Sequence, residues 1–323
     1  MTLSKLAKMA HVSVSTASKA FSMSPEVNSE TREMIFQLAK EYGCFKKYYR
    51  AKYHKAVIAV ICPEFDSFNY ANYISVIQRI LEKQNCEICV ASTHFSTETE
   101  KELLEYYSNY ADVDGVIAIG IQMLEKEWDF DIPAVLISSE NRITNIPSVR
   151  CPIKGALREA VGEWVAAGVG DIGFIGETRT VSKRELFKDV MTEYGFTDAE
   201  RLIAISDVGF EDGGYRAMSE LLKTEKAPRA VVCAYNYMAI GALRCLKDNG
   251  LSVPQDVAIL GMDDIPELAY FSPSLSTISY KKDEVCEVAV KLLMNALRGE
   301  YNTEEVIIDA EYRRRESGII EKN

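Results

Sequence analysis

Long apolar runs are missing from this chain, and no segment approaches the roughly eighteen consecutive apolar residues of a membrane-spanning helix. The opening residues are polar and helical in pattern, so no secretory leader is expected and the chain is expected in the cytoplasm, off the membrane. Histidine is scarce: His11, His54 and His94 are all there are, and they form no ligand pattern, so no metal site is expected. The eight cysteines would suggest a disulfide scaffold only in a short secreted chain, which 323 residues are not. Cys86-Glu-Ile-Cys89 has no second CxxC to answer it and sits in NCEICVAS, which reads as a strand. Strand positions i and i+3 point to opposite faces, so these are expected to be core cysteines.

What the chain does have is a charge divided along its length. The net charge is −11, yet residues 1–55 carry ten Lys/Arg against four Asp/Glu, a balance of +6. The remainder is at −17. A basic segment joined to an acidic body suggests a nucleic-acid module attached to a body with another task. Hydrophobic residues make up 47%, enough for a sizeable core, and the length suits two or three domains.

The basic segment opens with KLAKMAHVSVSTASKAF, two short amphipathic helices joined by a tight polar turn. Ser13 is placed as an N-cap for the second helix, which turns Ala17, Ala20 and Phe21 inward. Ser15, Thr16, Ser18 and Lys19 face outward, short hydroxyl and ammonium donors suited to a DNA major groove and its phosphates. A third helix, capped by Asn28 and running through Met34, Ile35, Leu38 and Ala39, would roof the pair.

Residues 1–43 thus form a helical head, and residues 44–56 a hinge beginning CFKKYYRAKYHK, with five Lys/Arg and four aromatics in twelve residues. From residue 57 onward strands alternate with helices. VIAVIC (57–62) ends at Pro63 as a buried parallel strand would, and further strands are predicted at 87–91, 115–119 and 133–137. The rhythm restarts near Gly155, with strands at 172–175, 202–205, 230–233 and 257–260, a last long helix at 283–297 and a strand at 305–308. The expected fold is α/β: a helix-turn-helix head, then a body over 57–323 made of two lobes with parallel sheets. Lobe 1 covers about 57–154 plus a C-terminal return, lobe 2 about 155–280, and ligands are expected in the cleft beyond the strands' carboxyl ends.

Two motifs suggest other chemistry. Gly168-Val-Gly170-Asp-Ile-Gly173 matches GxGxxG, but a helix enters it and a strand leaves, the reverse of a dinucleotide site, so a helix C-cap and tight turn are expected. Asp263-Asp264 follows a strand where ligands bind, as sugar-binding, acid/base or capping carboxylates. With no metal ligands, nucleophile elbow or phosphate loop nearby, neither an enzyme nor a cofactor is expected.

VSVSTASKAF followed by SPEVNSETREMI resembles the head of the lactose-repressor (LacI/GalR) family of bacterial transcription regulators. The stretch AYNYMAIGALRCLKDNGLSVPQDVAILGMDDIPELAYFSPSLSTISY resembles that family's second lobe, and RRRESG its terminal element. The resemblance implies a periplasmic-binding-protein-like body and a homodimeric repressor that binds double-stranded operator DNA under the control of a sugar-like or nucleoside-like effector. It implies base contacts from Val14, Ser15 and Lys19, phosphate contacts from Thr16 and Ser18, and support from Asn28 and Thr31. Lys19 replaces the family's commoner Arg and loses the bidentate fork that reads guanine.

The hinge lacks the family's Pro, Asn and Leu, and Tyr53 takes the leucine's position. A Tyr53 wedge in the minor groove with Arg50 on a phosphate, and a solvated basic linker, are both open. In the cleft the resemblance points to Asn69, Tyr70, Arg184, Asp263 and Asp264, with Ser138 where Asp is common and Tyr235-Asn236 where the family has Asn-Asp. Tyr235 either shapes the site for a larger or modified ligand or plugs it. No heptad helix follows RRRESG, so a tail-mediated tetramer is not expected. The contrasting possibility is a solute-binding or sugar-processing protein without specific DNA recognition, the latter using Asp263 or Asp264 with Arg184.

Overall fold

The computed structural model describes residues 1–48, 55–111, 113–121, 132–139, 146–300 and 304–320. The chain divides into two compact units. The first is Met1–Val57 with Glu82–Glu87, and the second is Ile58–Leu81 with Ile88–Asn323.

The first unit is built on α1 (Leu3–Met9), α2 (Val14–Phe21), α3 (Ser29–Glu41) and the single turn α4 (Phe45–Tyr48). Each start has a local cause. Ser13 Oγ accepts from Thr16 N at 2.9 Å and Asn28 Oδ1 from Thr31 N at 2.8 Å, meeting amide groups the first helical turn leaves open. Leu6, Ala10, Ala20, Phe21, Ile35 and Phe36 meet in the core. Phe45 and Tyr48, assigned from sequence to the hinge, belong to this core. Phe45 stacks edge-on against Phe36 with ring centroids 5.2 Å apart, and the Tyr48 hydroxyl donates to Met1 O at 2.9 Å.

The second unit holds two sheets. Chain order runs β1 (Ala56–Cys62), α5 (Phe68–Lys83), β2 (Cys86–Ser92), α6 (Thr97–Asn109), β3 (Gly115–Ile119), β4 (Ala134–Ser138), β5 (Ser148–Arg150), α7 (Lys154–Ala166), β6 (Ile172–Glu177) and α8 (Val181–Glu193). It continues through β7 (Ile203–Ser206), α9 (Phe210–Leu221), β8 (Ala230–Cys233), α10 (Asn236–Asp248), β9 (Ala258–Met262), β10 (Ser276–Ser279), α11 (Lys282–Leu297), β11 (Glu305–Ile307) and β12 (Glu311–Arg313).

The sheet of lobe 1 has the order β11-β5-β4-β3-β1-β2 and that of lobe 2 the order β12-β10-β9-β8-β6-β7. Strands β11, β5, β4, β3 and β1 pair in parallel, as in Ile58↔Gly115, as do β10, β9, β8, β6 and β7, as in Ile172↔Ala230, while β12 runs antiparallel to β10. Strands β3, β8 and β9 are buried at every residue, which is why they read as unbroken apolar runs. In each sheet the strand order reverses once, between β1 and β3 and between β6 and β8, and such reversals open a crevice at the strands' carboxyl ends.

The chain crosses between the sheets after β5, after β10 and after β11. Helix α11 packs on β3, β4 and β5 of lobe 1, and β12 then returns to lobe 2, a crossing the sequence reading lacks. The glycines of 168–173 close α7 and lead into β6, with Gly168 at φ +86°, as a helix C-cap requires. Helices α9 and α10 pack backbone to backbone. A Cβ on Gly214 would lie 2.1 Å from Met238 O, and one on Gly241 2.0 Å from Glu211 O. That contact fixes the start of α10, where Tyr235 and Asn236 stand. All eight cysteines are free thiols.

Candidate functional site

In the first unit, α2 presents Val14, 46% exposed, with Ser15 and Ser18 open to solvent. Thr16 is partly covered, because its hydroxyl shares a 2.8 Å hydrogen bond with Ser13 Oγ within the cap. Lys19 is not idle either, and its ammonium meets Glu26 Oε2 at 2.5 Å. Asn28 and Thr31 join in the cap of α3, and the Arg32 guanidinium donates to Ser24 O and Val27 O, closing the turn before it. The helix therefore offers a small, uncharged leading surface flanked by one ion-paired lysine. Arg50 and Tyr53 lie outside the described residues.

In the second unit, a cavity of about 380 Å³ opens where both strand-order reversals meet. Of the residues singled out by sequence, Asn69, Tyr70, Ser138, Tyr235, Asn236 and Asp263 line it. Each follows, or ends, a strand or opens the next helix, the positions where sheet geometry aims side chains into the crevice.

Two assignments are corrected. Arg184 does not line the cavity, and its Nε donates to Glu185 Oε1 at 3.0 Å. Successive helix residues are turned by about 100°, so on α8 it is Lys183 that reaches the cleft, donating to Ala234 O at 2.8 Å and facing Asp263 Oδ1 at 3.4 Å. Asp264 is likewise turned away. Asp263 takes a left-handed φ of +68°, which separates the two carboxylates. Asp264 instead accepts from Thr277 Oγ1 at 2.8 Å, Arg313 Nη1 at 2.5 Å and Arg315 Nη1 at 2.9 Å. Burial alone would raise the Asp264 carboxyl, but these hydrogen bonds and the two guanidinium charges hold it below its ordinary value.

Several lining residues escaped sequence reading, among them Glu64, Phe95, Glu177, Arg179, Lys183 and Tyr237. For Glu64, Glu177 and Arg179 the signal is a charged residue at or just past the end of an apolar strand. Glu177 ends β6, which runs two residues further than its apolar stretch. It holds Arg179 through Nη2 at 2.9 and 3.1 Å, and the Arg179 guanidinium lies 4.5 Å from the Phe95 ring centre, bridging the lobes. A second bridge runs from Phe68 N to the Tyr237 hydroxyl at 3.1 Å.

Tyr235 is anchored to lobe 2. Its hydroxyl accepts from Phe210 N at 2.8 Å and donates to Glu177 Oε1 at 3.2 Å, so the ring forms a wall and leaves the cavity open. Burial, then the nearby Glu177 charge, push its hydroxyl well above the usual range. Burial and the Asp263 charge do the same for Tyr70. These phenols are neutral hydrogen-bonding groups at physiological pH. The described residues contain no group of three or more His, Cys, Asp and Glu placed to hold a metal.

The chain matches a family model described as a periplasmic binding protein-like domain over residues 161–317. It is 25% identical over 334 residues to the HTH-type transcriptional regulator MalR of Clostridium butyricum, covering 98% of this chain and 99% of that protein. It is 27% identical over 323 residues to the HTH-type transcriptional repressor PurR of Pasteurella multocida, covering 95% of each. Among solved structures, a LacI-family transcriptional regulator from Silicibacter pomeroyi superposes with a TM-score of 0.76 at 20% identity, over 98% of this chain and 99% of that one.

Proposed function

We propose, from the premise that the chain belongs to the lactose-repressor (LacI) family of transcription regulators, that it binds operator DNA through its head and represses under control of a small molecule held in its cleft. One observation supports this most: a single chain joins a capped helix presenting Val14, Ser15 and Ser18 to an open cavity formed where two strand-order reversals face each other. Relatives named as a regulator and a repressor match over 98% and 95% of this chain.

In this reading Val14, Ser15 and Lys19 meet base edges in the major groove, Thr16 and Ser18 meet phosphates, and Asn28 and Thr31 hold the supporting helix in place. Arg50 and Tyr53 are proposed to engage the minor groove from the hinge. Two copies, related by a twofold axis, read a pseudopalindrome in the cytoplasm. Among the described residues no helix is long and apolar enough to cross a membrane.

The effector rests on Asn69, Tyr70, Ser138, Tyr235, Asn236 and Asp263. It acts by favouring one arrangement of the lobes, since a ligand bound equally by both arrangements shifts nothing. The site is a sensor and the protein is not an enzyme in this reading. The test is operator affinity with and without small molecules drawn from cell extract, in the unaltered chain and in Asn236→Ala. The unaltered chain should change its affinity while the variant keeps its ligand-free affinity and loses the response. An identical response in both would remove the cleft from the mechanism.

A further inference from the structure

The two walls of the cleft differ in charge. On the lobe 2 wall every charged side chain is paired within that wall, Arg179 with Glu177 and Lys183 with Asp263. The lobe 1 wall carries Glu64, Asp66 and the imidazole of His94, and among the described residues no lysine or arginine of lobe 1 lines it. Glu64 is 9% exposed, and among the described residues its carboxylate accepts from Ser67 N, at 2.7 Å, and from Ser67 Oγ. Those bonds tie it to the start of α5, where the helix dipole favours negative charge but supplies no cation.

An independent observation points to a ligand in the same cavity. Asn236 is 1% exposed, and its Oδ1 accepts from Tyr237 N at 2.8 Å, yet its Nδ2 has no hydrogen-bond partner among the described residues. Asn69 Oδ1 is also buried and has no partner among the described residues. A buried donor and a buried acceptor left unpaired on residues that line one cavity point to a ligand that presents both, as hydroxyl groups do.

We propose that the cleft takes a polyhydroxylated primary amine of the amino-sugar class, with its ammonium against Glu64 and Asp66 and its hydroxyls on Asn236 and Asn69. This rests on the reading of the cleft as an effector site and names the effector's chemistry. A compact ammonium matches two carboxylates without needing the converging ligand set of a metal ion, which the described residues do not provide. The rings of Tyr70 and Phe95 supply the flat walls that cover a sugar's apolar faces.

The test is calorimetric titration of the full chain at neutral pH with matched pairs: glucosamine against glucose, galactosamine against galactose and mannosamine against mannose. At least one amine should bind about tenfold or more tightly than its neutral partner, the strength expected of one charge-assisted hydrogen bond in a partly desolvated site. Glu64→Gln should abolish that preference. Asp66→Asn, at an exposed position outside the cap of α5, should reduce it without disturbing the fold. Equal or tighter binding of the neutral sugars, a preference that survives both substitutions, or no binding by any amine would overturn the proposal. Operator binding by the ligand-free chain, measured alongside, separates the two ideas. Specific DNA binding without an amine preference removes this inference alone, whereas loss of specific DNA binding removes the regulator reading and this inference with it.

Discussion

The Tyr235 hydroxyl donates to Glu177 Oε1 at 3.2 Å, and this bond decides what a tyrosine does at the mouth of α10. A free ring there would fill the cleft. Held by Glu177 and by Phe210 N, it stands as a wall, and the cavity stays open beside it. Tyr235→Phe keeps the ring but leaves Phe210 N without its acceptor. It should lower unfolding free energy by about 1 kcal/mol in urea titration, with the fold intact. No measurable change would mean that the hydroxyl is not fixed as described.

Asp264 should prove structural. It accepts from Arg313, Arg315 and Thr277 while buried, so Asp264→Ala leaves the part-buried Arg315 guanidinium and the Thr277 hydroxyl without their acceptor. Removing the shared acceptor of such a part-buried network costs about 2 kcal/mol, and chemical denaturation would read it. The carboxyl's folded value is depressed, so its contribution is fully present above the ordinary aspartate range. It is lost as pH falls below about 4 and through the lower folded value. Asp264→Asn should flatten that part of the acid unfolding curve, and an unchanged curve would contradict the assignment.

The head separates capping from contact. Ser13→Ala and Asn28→Ala each remove an N-cap acceptor and should each cost about 1 kcal/mol of head stability. Ser15→Ala touches no cap and should leave stability within about 0.5 kcal/mol while weakening operator binding. Thermal melts and gel shifts on the three variants test the distinction. It fails if Ser15→Ala destabilises the head as much as the other two.

The Lys19–Glu26 pair sits in solvent, where such pairs contribute about 0–1 kcal/mol. Glu26→Gln should therefore leave the melting temperature nearly unchanged. It should still raise DNA affinity, because the ammonium no longer exchanges a carboxylate for the duplex and a repelling charge is gone. Weaker binding by the variant would show that Glu26 positions Lys19 rather than holding it back.

Most long elements were legible because their physics is local. The strands at 115–119 and 230–233 are apolar on both faces and bounded by turns, and their sequence-read limits match β3 and β8. Strands β5 (SVR), β10 (STIS) and β12 (EYR) were not legible, since short runs built mostly of polar residues show no apolar stretch and owe their form to the sheets they join. The helical head was legible from its caps. That Phe45 and Tyr48 would pack on Phe21 and Phe36 was not, because a basic, aromatic stretch reads as a linker until its rings find a core.

In the cleft, the strand ends placed the site but not its side chains. One helical step decides between Lys183 and Arg184, and one left-handed residue decides between Asp263 and Asp264. Neither step leaves a trace in composition or period.

The most decisive measurement is selection of bound duplexes from a random pool by the purified full chain, followed by affinity against salt. Recovery of one pseudopalindrome, bound about a thousandfold or more tightly than shuffled DNA at physiological salt, is the predicted result. Binding that is blind to sequence and collapses steeply with salt would contradict it, leaving a basic head that holds DNA only by its phosphates.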